Sequence, residues 1–520
     1  MQLGFKEYYD KVLGCYYGKT IGGTLGAPFE CFRGVYDVDY YVQDTSRPIP
    51  NDDVDLQLVW LRAVELEGRK IDAHVLGEYW LTYISASLCE YGTGKNNMKM
   101  GIHPPLTGYL NNANRDSNGA WIRSEIWATL CPANPYMAAR YAYEDACVDH
   151  STEGIYSAVF CAAVQSAAFV ESDTEKLLKI GLSYIPEDCG CARAVRCVKE
   201  SYDAGADFKQ ARKKLLQTEP GGFGMIGGYW QGQDLDKTIP LSDKYPPQKP
   251  EKDVPRGKPG YDAPSNLGIV IIGWLYGEGD FGKSVCIATN CGEDSDCTAG
   301  TLGALLGIIA GKKNLPEKWV NGCSDEISTW CLRIDAGLRL PKTVQQLADR
   351  IVRQTPVMLG AQYCDVTTLD GYTVTAQESL INPYAEQEGL GLRLHRKGDT
   401  THNAFTLYDV DITYDSDLVR VEEGKEKCLH VVFRNRVYDP QYLTVRLLDV
   451  PEGWTVTGGC EKCVSLENEH GGNFISALDI RFTPSALSRG RYGMVLEIST
   501  MGRLTKNYIP LTFINGYCMD

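Results

Sequence analysis

The chain has 520 residues, 43% hydrophobic and 23% charged, with a formal net charge of −15 and a pI near 5.1. That length exceeds one ordinary core and predicts two or three domains. The acidity excludes the basic face that wrapping a nucleic acid needs, although a bound metal can still reverse the field locally for a small anion.

In chain order, the first predicted helix is KVLGCYYGKTIGGTLG, with glycine at 14, 18, 22 and 26. Each glycine costs about 1 kcal/mol relative to alanine inside a helix. Four of them along one i±4 ridge imply a second helix packed hard against this one. Pro28 then ends the helix and delivers Glu30 at its exit. Next, Asn51-Asp52-Asp53-Val54-Asp55 opens the helix LQLVWLRAVE, with Asn51 as its N-cap and acids suited to its first turn. Helical spacing continues through residues 73–88, 154–170 and 265–277.

Residues 291–296, CGEDSD, lead into TAGTLGALLGIIAG, an uncharged helix of buried composition. A helix N-terminus favours a carboxylate by only about 0.3–1 kcal/mol. Two carboxylates ~4 Å apart repel by about 4 kcal/mol at an effective dielectric of 20. Asp294 and Asp296 therefore call for a cation or a shared proton.

The hydrophobic period changes to two from about residue 400. Leu443, Val445 and Leu447 alternate with polar neighbours, as do Leu478, Ile480 and Phe482, then Met494, Leu496 and Ile498, then Ile509, Leu511 and Phe513. Residues 1–360 are thus expected to form a mainly α domain, 361–400 a mixed connector and 401–520 an all-β, immunoglobulin-like sandwich. Nineteen scattered cysteines, several in apolar helical patterns (Cys15, Cys161, Cys286), read as reduced thiols. No apolar run reaches the ~20 residues of a bilayer span. The N-terminus lacks the charged and apolar regions of a signal peptide, so a cytoplasmic protein without membrane contact is expected.

Should the two acidic helix starts converge, Asp52, Asp53, Asp294 and Asp296 supply four negative charges and hard oxygen donors. That set suits Mg²⁺, Mn²⁺ or Ca²⁺ rather than zinc. Other signals carry less. Gly222–Gly227 spells GFGMIG but follows KKLLQTEP instead of a strand, so it reads as a loop that could turn Tyr229 and Trp230 toward a ligand. Cys460 and Cys463 form a lone CxxC, His103 sits before two prolines, and no GxSxG is present. Trp454 reads as core.

The segments GKTIGGTLGAPFE, NDDVD, SNGAWIR, VDHSTEGIYSAVFCAA, GEDSDCTAGTLGALLG and LPEKW, in that order, resemble the ADP-ribosylglycohydrolase family over about residues 8–340. The resemblance implies an orthogonal helical bundle holding one or two divalent ions, Mg²⁺ first. It also implies cleavage at the anomeric carbon of an ADP-ribosyl or related ribosyl substrate, free or protein-linked. It places metal ligands at Asn51, Asp52, Asp53, Asp294 and Asp296, and catalytic roles at Glu30, the acid/base, and Asp294. Asn118 and His150 match positions lining the substrate cleft. Asn51 and Cys297 stand where the family carries threonines, Val54 replaces another, and Gly23 replaces an aspartate. These departures keep two alternatives open: hydrolysis of another glycoside or nucleoside on the same scaffold, and a silent ligand-binding member. Homo-oligomerisation is left open.

Overall fold

Four glycines decide how the first helix, Phe5–Gly26, packs. A methyl group on Gly14, Gly18, Gly22 or Gly26 would run into the backbone of Gly307, Gly303, Ala299 or Ser295. The partner is the helix Ser295–Ala310, and the falling residue numbers make the pair antiparallel. Backbone lies directly on backbone, and the dispersion attraction between the two helices offsets the low helix propensity of glycine. The consequence is positional. The exit of the first helix, with the turn Ala27–Phe29 and then Glu30, arrives at the entrance of the second, with Asp294 and Asp296.

The computed structural model describes residues 1–30, 32–219, 261–367, 371–381, 398–468 and 474–516. The GFGMIG stretch, Tyr229 and Trp230 lie outside these. The chain divides into two compact units, Met1–Gly92 with Ala113–His395, and Thr93–Asn112 with Arg396–Asp520.

The first unit is mainly helical. Helices expected from periodicity are present at Asp52–Glu67, Thr152–Ala167 and Ala263–Gly277. The stretch 73–88 departs from expectation: its helix stops at Tyr83. Ile84 instead pairs as an antiparallel bridge with Leu332, and the Ser85 N–H donates to the Cys331 carbonyl. The apolar period runs on, but a partner distant in sequence takes the backbone. Within the stretch expected as connector, Cys364–Asp365 and Thr373–Thr375 form strands that join Gln2–Gly4 in a small antiparallel sheet.

The second unit is β-rich. One sheet orders the strands Glu461–Leu466, Gln441–Leu448, Arg491–Thr500, Lys506–Asn515 and Arg420–Val421; the other orders Thr455–Val456, Ile475–Thr483, Lys427–Asn435, Tyr408–Tyr414 and Thr400–Ala404. The alternating residues of both sheets meet in one core, where Phe482 and Phe513 pack edge to face with centroids 5.1 Å apart. Leu478 sits half-buried at its margin. Trp454 is buried on Phe482, as expected for core. Ile102, Leu106 and Leu110 belong to the same core, although they stand some 300 residues before most of it.

No disulfide joins any two described cysteines, and most are buried; Cys460 and Cys463 are exposed. Among the described residues no helix is long and apolar enough to cross a membrane.

Candidate active site

Both acidic helix starts could have been simple caps, and the hydrogen bonds separate capping from chemistry. Asn51 caps the Asp52–Glu67 helix alone: its Oδ1 accepts the Asp53 N–H at 2.7 Å. Asp52 and Asp53 are thereby released from that duty. At the other start, Asp294 occupies the N-cap position but its side chain makes no capping bond. Its Oδ2 accepts the Asn118 amide at 2.8 Å, and its N–H donates to Asn266 Oδ1 at 3.2 Å. Asp55 is committed elsewhere, accepting the Trp330 and Cys331 N–H groups at 2.9 Å each.

A second tether holds the two ends together. Phe32–Arg33 pairs antiparallel with Gly292–Glu293, so the chain just after Glu30 is hydrogen-bonded to the chain just before Asp294. Glu293 adopts a left-handed φ of 66°, costly for a residue with a Cβ. Its fully buried carboxylate is gripped by Arg33 at 2.6 and 3.1 Å, which holds that conformation in place.

The result is a cluster of oxygens. Carboxylate oxygens of Glu30, Asp294 and Asp296 lie within 4.8 Å of one another, as do ligand atoms of Asp53, Asp296 and Cys297. Asp296 is common to both groups. Asp294 and Asp296 are buried, whereas Glu30 is exposed at the rim. Asp52 stands beside them with its Oδ2 accepting the Tyr91 hydroxyl at 3.1 Å.

The electrostatics report a shortage of positive charge. Burial, reinforced by Asp296 and Glu30, pushes the Asp294 carboxyl well above its ordinary range. Burial and Asp53 raise Asp296 to about 6, and burial with Asp53 and Asp296 raises Asp52 to about 7. Asp294 Oδ1 and Asp296 Oδ1 are buried without a hydrogen-bond partner. Such orphaned acceptors are uncommon and costly. Hard oxygens, net negative charge and two unsatisfied buried acceptors fit a divalent cation of the Mg²⁺, Mn²⁺ or Ca²⁺ kind. Asn51 is placed differently from a simple ligand: its carbonyl oxygen caps the helix while its amide nitrogen donates to Asp296 Oδ2 at 3.1 Å.

Lys19 is the residue that periodicity and motif reading missed. It is 1% exposed, and its ammonium lies 2.8 Å from Asp53 Oδ2 and 3.3 Å from Glu125 Oε1 while donating to the Ile122 carbonyl at 2.9 Å. Burial opposes its charge, but Asp53 and Glu125 outweigh that and raise its pKa. Gln57 completes the nest, donating to Glu125 Oε2 at 2.9 Å and accepting from the Tyr16 hydroxyl at 3.0 Å. One signal was present in the sequence: Lys19 is the only charged residue between Val12 and Gly26.

Asn118 reaches the acidic cluster directly, and His150 does not. His150 is fully buried, with Nε2 2.8 Å from Ser117 Oγ and Nδ1 2.8 Å from Asp149 Oδ1. Arg123 clamps Asp149 at 2.6 and 3.2 Å and Asp145 at 2.8 Å. Two connections lead from this network toward the cluster: Ser117, which precedes Asn118, and Glu90, 3.7 Å from His150 Nε2 and next to Tyr91, whose hydroxyl donates to Asp52. At Cys460 and Cys463 no third ligand joins among the described residues.

A family model described as ADP-ribosylglycohydrolase matches residues 6–358. No curated protein matches the chain. Among solved structures, the Pseudomonas fluorescens alkylpurine DNA glycosylase AlkC bound to DNA containing an abasic site analog is 12% identical over 90% of this chain and 99% of that one, with a TM-score of 0.13. A likeness that weak carries no argument.

Proposed function

The chain belongs to the ADP-ribosylglycohydrolase family, and from that premise we propose that it hydrolyses the anomeric bond of an ADP-ribosyl or related ribosyl substrate with the help of a divalent cation. The observation carrying this reading is the pair of orphaned buried oxygens, Asp294 Oδ1 and Asp296 Oδ1, beside the exposed carboxylate of Glu30. Asp294 and Asp296 would hold the ion, with Mg²⁺ the first choice and Mn²⁺ or Ca²⁺ chemically acceptable. When bound, such an ion supplies Lewis acidity and a template for adjacent ribose hydroxyls.

The chain's own residues supply the rest. Asn118 fixes the orientation of Asp294 by donating a 2.8 Å hydrogen bond from its amide nitrogen to Oδ2. Glu30, at the rim, is placed to take a proton from the attacking water as its oxygen bonds to the anomeric carbon. The glycosidic bond breaks in the same step, and the departing group then receives that proton from Glu30. The positive charge that builds on the sugar ring is stabilised by the surrounding carboxylates. His150, through Ser117, positions the loop that carries Asn118.

Hydrolysis of ADP-ribosylated protein and free ADP-ribose, with Mg²⁺ and with a chelator, tests the reading. Asp294→Asn and Glu30→Gln are expected to lose at least a hundredfold in kcat while remaining folded. Full activity in Asp294→Asn would overturn the assignment. One observation favours a second reading, another glycoside or nucleoside on the same scaffold: the Cys297 thiol lies 3.4 Å from Asp53 Oδ1, where the resemblance carries a threonine. Turnover of simple nucleosides but not of ADP-ribosyl substrates would select it. Ligand binding with no turnover under any metal would select a silent member. For the β-rich unit, an immunoglobulin-like arrangement is part of the same proposal.

A further inference from the structure

The centre expected from the resemblance holds up to two divalent ions, and four carboxylates would balance two of them. The geometry around Asp53 differs from that expectation at both of its oxygens. Oδ2 is 2.8 Å from the Lys19 ammonium, and Oδ1 is 3.4 Å from the Cys297 thiol. Neither neighbour is a group that shares Asp53 with a hard cation: an ammonium repels one, and a thiol is a poor partner for one. Lys19 is 1% exposed in this position. Its stem rises from the glycine ridge, beside Gly300, whose Cβ would meet Lys19 Cδ at 3.5 Å. Its ammonium is held at three points, by Asp53, Glu125 and the Ile122 carbonyl.

Asp52 has also found a neutral partner in the Tyr91 hydroxyl. Asp53 Oδ2, Asp294 Oδ1 and Asp296 Oδ1 are all buried without a hydrogen bond, but Asp53 Oδ2 has the Lys19 ammonium as its counter-charge at 2.8 Å, which leaves Asp294 Oδ1 and Asp296 Oδ1, next to Glu30, with neither. A buried acceptor with neither a hydrogen bond nor a counter-charge is suited to ligate a cation, and one already paired with a lysine is not.

We propose that the Lys19 ammonium permanently takes the place of one of the two divalent ions, leaving a centre that binds a single ion between Asp294, Asp296 and Glu30. The inference rests on the metal-dependent reading above and sharpens it. A lysine gives Asp53 its counter-charge but cannot polarise water as a Lewis acid or hold a pair of sugar hydroxyls, so a substrate would meet one ion only. Cys297 follows from the same arrangement: with an ammonium neutralising Asp53, no oxygen donor is required at that position.

Mn²⁺ binding to the full-length chain tests this without reference to turnover. Equilibrium dialysis is expected to give one Mn²⁺ per chain, and electron paramagnetic resonance the six-line spectrum of an isolated ion. Two ions per chain with a spin-coupled spectrum would overturn the proposal while leaving the metal-dependent reading intact. No binding at millimolar Mn²⁺ would overturn both. The double variant Lys19→Met with Cys297→Thr is expected to rise from one ion to two, and Cys297→Thr alone to stay at one. A second ion in Cys297→Thr alone would show that the thiol, not the lysine, sets the number. If the double variant does not fold, the wild-type and Cys297→Thr stoichiometries decide the question.

Discussion

Glu125 shows how much of this site is carried by residues no motif points to. It is fully buried, and three side chains depend on it: Lys19 at 3.3 Å, Gln57 at 2.9 Å and Gln165 at 3.4 Å. Breaking a buried ion pair by removing one partner costs about 3–5 kcal/mol. Lys19 keeps Asp53 as a partner at 2.8 Å, so Glu125→Gln is expected to cost less, about 1–3 kcal/mol in urea unfolding; a loss below about 0.5 kcal/mol would mean the pair is dispensable. Asp262 gives a pH-dependent case away from the acidic cluster. It caps the Ala263–Gly277 helix, and burial lifts its carboxyl to about 7 against the Ser265 bonds that lower it. An unfolded aspartate titrates near 3.9, so between about pH 4 and 7 the folded chain holds a proton that the unfolded chain has released. Stability must then fall as pH rises through that window. Asparagine caps equally well without titrating. Stability curves of wild type and Asp262→Asn are expected to diverge from about pH 4 to 7 and run parallel above it; parallel curves throughout would refute the shift. At this scale the sequence was legible where chemistry repeats a pattern: Asp294, Asp296, Asp53 and Glu30 are gathered as expected. It was not legible for Lys19, because its partner Glu125 lies 106 positions away and nothing local announces the pairing.

At the scale of elements, the glycine ridge was legible because a period of four in a costly residue has few explanations other than close packing. Which helix would fill the groove was not stated by the period, and the answer, Ser295–Ala310, is what turns a packing feature into a site-building one. Gly18 and Gly303 face each other across the contact, each blocking a methyl on the other. Gly18→Ala has no side chain to push aside, only backbone, so the helices must separate. Overpacking of this kind costs about 1–3 kcal/mol, set against a propensity gain of about 1 kcal/mol. The expected outcome is a lower Tm and weakened Mn²⁺ binding, since Glu30 follows the exit of one helix and Asp296 lies in the first turn of the other. Gly4, which has open space around it, is the control: Gly4→Ala should change neither. The early stop at Tyr83 marks the limit of periodicity, since Ile84 keeps the apolar spacing while its backbone goes to Leu332.

At the scale of the whole molecule, the switch from a helical period to a period of two was plain near residue 400, because half-buried strands must alternate. The earlier segment Thr93–Asn112 carried no such signal, being short and placed inside a helical region, yet it belongs with the β-rich unit. Ile102, Leu106 and Leu110 are each 3% exposed or less within that unit's core, and the Thr512 hydroxyl donates to the Gly101 carbonyl at 2.8 Å. The β-rich unit is thus assembled from two separated pieces of chain, and neither piece is complete alone. A chain ending at residue 395 would keep all of the acidic cluster but strip the cover from Ile102, Leu106 and Leu110. Burying a side chain of this size contributes about 1.5–3 kcal/mol, so their exposure together should make the shortened chain bind a hydrophobic dye and aggregate. Replacing all three residues by serine in the shortened chain should restore solubility if exposed apolar surface is the cause. The same idea can be tried in the intact chain with Ile102→Asp, which places a charge in the core of strands some three hundred residues further on. Its expected signature is loss of amide protection in Arg491–Thr500 and Lys506–Asn515, measured by hydrogen exchange. Full protection of those strands in Ile102→Asp would mean that the segment covers the β core without helping to hold it.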